Sequence, residues 1–116
     1  MTTLEENARA YNKSGHNCAM SVYTAYAEKL GISEDEAKRI APRPRAEGGK
    51  CGAYLAGIKV LEKLKPEATE EFDRRFVELY GHTECSKLIM LNGLHKNCNN
   101  YVGDAARIVE ELLEEE

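Results

Sequence analysis

The 116-residue chain has no apolar run near the roughly 20 residues that a membrane-spanning helix needs, and its N-terminus is polar. We therefore expect neither membrane insertion nor a signal peptide, and predict a cytoplasmic protein. Positive charge is not in excess, since the formal net charge is -4. This disfavours a nucleic-acid partner, which needs a basic surface. No Cys-x-x-Cys pair occurs, so neither a thioredoxin-type dithiol nor a zinc ribbon is signalled.

The apolar residues recur at helical spacing, and no segment alternates apolar and polar residues as a half-buried strand would. One stripe contains Ala19, Val22, Tyr23, Tyr26 and Leu30, in a helix expected from Asn17 to about Leu30. A second contains Phe72, Phe76, Leu79 and Tyr80, all expected to face inward. The chain is thus predicted to be helical almost throughout.

Residues suited to helix capping precede most of these stripes. They are Thr3, Asn17, Ser33, Thr69, Thr83 and Asn97. Gly and Pro residues separate the predicted helices, and residues 42–49 form the longest segment expected to be irregular. We predict an all-α fold, a single-domain bundle of about six to seven short helices over residues 1–116.

The four cysteines share one placement. Cys18, Cys51, Cys85 and Cys98 each fall in the first turn of a predicted helix and lead its apolar stripe. Free backbone N–H groups and the helix dipole favour a thiolate there, and can lower a thiol pKa from about 8.5 to below 7.5. Because the thiolate is the nucleophile and the metal ligand, this repetition predicts thiol redox or metal chemistry. Core packing is the alternative, since buried cysteine behaves as a small hydrophobe.

A histidine lies two or three residues before three of the cysteines. These are His16, His82 and His95. An imidazole at that position could accept the thiol proton or join a mixed cysteine and histidine metal shell. The alternative is that these are polar loop residues that precede helix caps.

A basic, glycine-containing segment precedes the second cysteine. Arg43, Arg45, Gly48 and Gly49 are candidates for binding an anionic cofactor, because glycine lets backbone N–H groups approach an anion. The same charges would lower the pKa of Cys51, which we therefore predict to be the most reactive thiolate. Neither a Walker nor a dinucleotide-binding spacing is present, and a solvated charged loop is the alternative.

The cysteine pattern, with CGAYLAG at Cys51–Gly57, resembles the C_GCAxxG_C_C family of redox-active proteins, defined by four cysteines and a CGAxxG motif. Further support comes from HNCAMSVYTAYAEKLG, GGKCGAYLAGIKVL, ECSKLI and NCNNYVGDAARIVEELL, so the resemblance runs from about residue 17 to 113. It implies a helical fold whose four cysteines form a redox or metal-binding site. Two departures are Ala56, where the family tends to have glycine, and a glycine-rich run shortened to Gly48 and Gly49.

Three functions follow as hypotheses. The first is a thiol-dependent oxidoreductase, in which Cys51 reacts and Cys18, Cys85 or Cys98 resolves it as a disulfide, with a redox protein or small molecule as partner. The second is a zinc or iron–sulfur module that uses the same four cysteines, with histidine as a substitute ligand. The third is a structural helical oligomer without chemistry. A homodimer is expected from base rates alone.

Overall fold

The computed structural model describes residues 3–85, 87–88 and 98–115. Its helices are α1 (Thr3–Lys13), α2 (Cys18–Ala25), α3 (Ala27–Leu30), α4 (Glu34–Ile40), α5 (Ala46–Gly49), α6 (Gly52–Leu64), α7 (Thr69–Tyr80) and α8 (Cys98–Glu114). Within these residues there is no strand, only an isolated antiparallel bridge between Lys50 and Glu84. The all-α prediction is therefore confirmed.

The core lies where α2, α6 and α8 meet, with α1 packed on α2 and α8, and α7 on α6 and α8. Its largest fully buried side chains are Tyr26, Phe72, Phe76, Leu61, Leu88 and Ile108. Tyr26 buries a hydroxyl as well, which donates a hydrogen bond of 2.8 Å to the Ala106 carbonyl oxygen. None of the helices described is long and apolar enough to cross a membrane. The packing places α2 and α6 side by side at the centre of the bundle.

Two of the predicted caps are confirmed. The Asn17 side chain accepts a hydrogen bond of 2.8 Å from the Met20 N–H at the start of α2. The Ser33 hydroxyl oxygen accepts one of 3.1 Å from the Glu36 N–H at the start of α4. Both caps satisfy backbone donors that the first helical turn leaves unpaired.

Other expected boundaries are wrong. Thr69 does not cap α7: a 3-10 turn over Pro66–Ala68 leads directly into the helix, so Thr69 is already helical and its hydroxyl donates to the Pro66 carbonyl oxygen. Thr3 likewise lies inside α1. The helix expected from Asn17 to Leu30 is divided at Tyr26, which has φ -99° and ψ 7°.

Two further differences concern burial and loop structure. Leu79 is 50% exposed, because the core covers only the face of α7 that carries Phe72 and Phe76. The segment 42–49 is not wholly irregular, since it contains α5. The expected cap Asn97 lies outside the described residues.

We expect Asn17→Ala to lower the free energy of unfolding by about 1 kcal/mol, because it removes the cap of α2. Urea denaturation followed by circular dichroism measures the loss. Ser33→Ala is the matched control, since it removes an equivalent cap from α4. Both variants should lose similar stability; an Asn17→Ala protein as stable as wild type would contradict the role of this cap.

Candidate functional site

The structure brings Cys18 and Cys51 into contact, although 32 residues separate them in the sequence. Cys18 is the first residue of α2, and Cys51 immediately precedes α6 as its N-cap residue. Their thiols lie close enough for each to shift the pKa of the other, and both are free. The beginnings of two central helices therefore meet at this pair of thiols.

Gly52 makes this close approach feasible. A Cβ atom built on Gly52 would lie 2.5 Å from Sγ of Cys18 and 3.1 Å from the backbone nitrogen of Ala19. Cβ atoms essentially never come within 3.0 Å of such neighbours. Only a residue without a side chain lets the sulfur of Cys18 rest on the first turn of α6.

The surroundings of Cys18 favour its thiolate. The hydrogen bond from Cys51 lowers the pKa of Cys18 most, and burial opposes this. The backbone N–H groups of Ala53, Ala19 and Gly52 lower the pKa further. These groups belong to the first turns of α2 and α6, so one sulfur lies at two positive helix ends. Cys18 is also only partly buried, whereas Cys51 is buried.

Cys51 has the opposite character. The hydrogen bond with Cys18 raises the pKa of Cys51, as does burial, since the residue is only 3% exposed. The N–H groups of Tyr54 and Ala53 lower the pKa, but they do not offset these effects. The directions of the two shifts favour Cys18 as the thiolate of the pair. The higher reactivity expected for Cys51 from the basic segment before it stays a prediction.

Cys85 lies on a segment whose backbone is hydrogen-bonded to the backbone of Cys51. The Cys51 N–H donates a hydrogen bond of 2.7 Å to the Thr83 carbonyl oxygen, next to the bridge between Lys50 and Glu84. The Leu88 N–H donates to the Glu84 carbonyl oxygen and the helical residues begin at Cys85, so Glu84 and not the expected Thr83 occupies the N-cap position. Cys85 is a free, partly buried thiol in that turn.

For the fourth cysteine, the structure describes the backbone only. Cys98 is the first residue of α8, and its side chain lies outside the described part of the structure. Among the residues that the structure describes, no group of three or more His, Cys, Asp or Glu side chains is arranged to hold a metal ion. The zinc or iron–sulfur alternative, which requires Cys98, stays a prediction.

The histidines have separate positions. His16 closes the end of α1: its Nδ1 lies 3.0 Å from the Tyr11 carbonyl oxygen, and its ring packs edge-on against the Tyr11 ring. These two contacts give His16 a structural role at the end of α1. His82 is partly buried just before the Lys50–Glu84 bridge, and His95 lies outside the described residues.

The basic segment forms a tight turn. Arg45, Gly48 and Gly49 all have positive φ angles, of 69°, 85° and 77°, and the Arg45 N–H bonds to the Lys50 carbonyl oxygen. The two glycines are therefore explained by the backbone conformation that this turn requires. Arg43 and Arg45 are exposed. Binding of an anionic cofactor by these residues stays a prediction.

The sequence analysis missed two contributors to this site, Gly52 and Thr83. Gly52 carries a local signal, since a glycine directly after a cysteine at a helix start leaves room for another element. Thr83 carries none, because the carbonyl oxygen that it supplies to the Cys51 N–H is independent of its side chain.

A family model described as "Putative redox-active protein (C_GCAxxG_C_C)" matches residues 16–112, which include all four cysteines. The match confirms the resemblance noted above and supports a redox role in general terms. The family name writes its motif as GCAxxG, whereas this chain has Cys51-Gly52-Ala53, with glycine after the cysteine. No curated protein and no solved structure matches the chain.

Proposed function

We propose, from the premise that this chain belongs to the C_GCAxxG_C_C family of redox-active proteins, that Cys18 and Cys51 form a reversible dithiol–disulfide couple. The observation that carries the proposal is the packing of Sγ of Cys18 against Gly52, the chain neighbour of the buried Cys51, where the starts of α2 and α6 meet. The lowered pKa of Cys18 and the raised pKa of Cys51 support it. Such a pair combines an attacking sulfur with a second sulfur near enough to resolve the product.

The chemistry that fits this pair is thiol–disulfide exchange with a disulfide-bonded partner. The Cys18 thiolate attacks one sulfur of the partner disulfide, forms a mixed disulfide and releases the other partner sulfur as a thiolate. The partner thiolate released in this step takes the proton of Cys51. The Cys51 thiolate then attacks Sγ of Cys18, the mixed disulfide breaks, and the second partner sulfur leaves as a thiolate that is protonated from solvent. The partner gains two electrons and becomes a dithiol, and the protein loses two electrons and forms the Cys18–Cys51 disulfide.

The fold supplies three conditions for these steps. The N–H groups at the starts of α2 and α6 stabilise the negative charge on Cys18 before the attack. Burial keeps Cys51 protonated and away from competing reactants until Cys18 has reacted. Gly52 holds Sγ of Cys18 within reach of Cys51. These roles make Cys18 the attacking cysteine and Cys51 the resolving one, in place of the assignment made from the sequence.

Mild oxidation followed by alkylation and intact-mass measurement tests this assignment. We expect the wild-type protein to lose two hydrogens and two alkylatable thiols on oxidation. Cys18→Ser and Cys51→Ser should lose neither, because each lacks one member of the couple. Cys85→Ser is the matched control and should form the disulfide as wild type does, since the described Cys18–Cys51 contact does not involve it.

Two results would overturn the proposal. A Cys85→Ser protein that fails to form the disulfide, while Cys18→Ser still forms one, would place the couple elsewhere. A bound metal or cluster in native protein prepared without oxygen, lost on denaturation, would favour the metal alternative. Peptide mapping of the oxidised protein identifies the linked cysteines directly.

A further inference from the structure

The outward face of α6 carries a groove that begins at Lys50, the residue before Cys51. It consists of two adjoining cavities of about 180 and 440 Å³, both lined by Lys59 and Glu62. The first is also lined by Lys50, Tyr54, Leu55 and Ile58, and the second by Tyr23, Ile40, Pro42 and Lys63. We call this surface the α6 groove. Its first residue, Lys50, is the chain neighbour of Cys51.

The α6 groove is positively charged on a protein that is negative overall. Among the residues that the structure describes, its walls carry three lysines, Lys50, Lys59 and Lys63, and one carboxylate, Glu62. Glu62 pairs with Lys59 at 3.7 Å, and the formal charges of these four described side chains sum to +2. The whole chain has a formal net charge of -4. The groove therefore differs in sign from the chain as a whole and complements an acidic partner.

Apolar surface lies between these charges. Ile40 is 41% exposed although it is a large aliphatic residue, and Ile58 is partly exposed in the middle of the groove. Lys50 lies over the Tyr54 ring, with Nζ 5.8 Å from the ring centroid, and donates a hydrogen bond to the Thr83 hydroxyl oxygen. A ligand for this surface needs apolar groups as well as negative charge.

The length of the groove indicates a polypeptide. Lys63 lies 13 positions after Lys50, which corresponds to about 20 Å along a helix. An extended chain covers this distance with about six residues. We propose that the α6 groove binds an extended segment of a partner protein, with alternating acidic and apolar residues, next to the partner's redox-active cysteine. This inference rests on the proposed function, because it assigns the substrate class of the Cys18–Cys51 couple.

A binding measurement without chemistry tests the groove. The probe is a fluorescent eight-residue peptide of alternating Glu and Leu with Ser in place of cysteine, and the comparison peptide has Lys in place of each Glu. We expect fluorescence anisotropy to show binding of the acidic peptide only, weakened by added salt. The double variant Lys59→Glu/Lys63→Glu should bind it about tenfold more weakly. Lys13→Glu/Lys29→Glu, with the same charge change on exposed residues of α1 and α3, should bind as wild type does.

Three outcomes would overturn the inference: equal binding of both peptides, equal loss in both double variants, or self-association in sedimentation that only the groove variant abolishes. The last result would identify a second copy of this chain as the occupant. Lys63→Glu alone repeats the test if the double variant does not fold.

Reduction of the small neutral bis(2-hydroxyethyl) disulfide separates the two proposals. Wild type and groove variant should reduce it equally. No reduction by either protein would contradict the proposed function but not peptide binding.

Discussion

A Gly52→Ala protein will be less stable than wild type by about 1 to 3 kcal/mol, the usual cost of overpacking a tightly packed site. The added methyl group would lie 2.5 Å from Sγ of Cys18 and 3.2 Å from Cβ of Ala19. Either the sulfur must rotate away or the starts of α2 and α6 must separate. Both movements remove backbone N–H groups from the Cys18 thiolate, so the pKa of Cys18 should rise towards its ordinary value.

Gly57→Ala is the matched control for this effect. It lies on the same helix, and its added Cβ atom would come within 2.3 Å of the buried Phe72 ring. Overpacking should outweigh the helix propensity of about 1 kcal/mol that alanine gains over glycine, because the fully buried ring has little room to move. We therefore expect a comparable loss of stability from Gly57→Ala, without a change in the pKa of Cys18.

Urea denaturation and the pH dependence of alkylation separate the two outcomes. Gly52→Ala should change both the free energy of unfolding and the pH at which Cys18 reacts, whereas Gly57→Ala should change only the first. A Gly52→Ala protein with unchanged stability and unchanged thiol reactivity would show that Cys18 does not rest on Gly52. The control excludes general destabilisation as the cause of altered reactivity.

Local interactions explain which parts of the fold were predictable. The caps Asn17 and Ser33 were identified correctly because each bonds to a backbone N–H three residues away, so the signal lies within one helical turn. Thr69 was misassigned because the 3-10 turn before α7 leaves no free cap position. Leu79 was expected inside because an apolar stripe does not reveal how wide a face the neighbouring helices cover.

The site was less predictable, because its chemistry arises from residues distant in sequence. The sequence identified Cys18 and Cys51 as candidates, since each lies at a helix start, but it did not show that these helix starts meet. The relative acidity of the two thiols depends on packing in the same way. Neighbouring Arg and Lys residues suggested that Cys51 would be the thiolate, whereas burial and the bond to Cys18 raise the pKa of Cys51. Both effects depend on tertiary packing.

A Cys51→Ala protein will have a less reactive Cys18 at neutral pH, because it lacks the thiol that contributes most to lowering the pKa of Cys18. Alkylation requires the thiolate, so the rate rises with pH until the thiol is fully ionised. In wild type this rise should be centred below about 8.5, the value for free cysteine. In Cys51→Ala the midpoint of this rise should shift to higher pH. Once the pKa of Cys18 exceeds the assay pH, each further pKa unit lowers the thiolate fraction about tenfold.

Cys51→Ser distinguishes hydrogen bonding from simple loss of packing. A serine hydroxyl can still donate a hydrogen bond to the Cys18 thiolate, so this variant should react at a pH between those of wild type and Cys51→Ala. Cys85→Ala should leave the profile unchanged, since Cys85 is not among the groups that set the pKa of Cys18. Identical profiles for wild type and both Cys51 variants would mean that the helix N-termini alone stabilise the thiolate, and that Cys51 contributes only as the resolving cysteine.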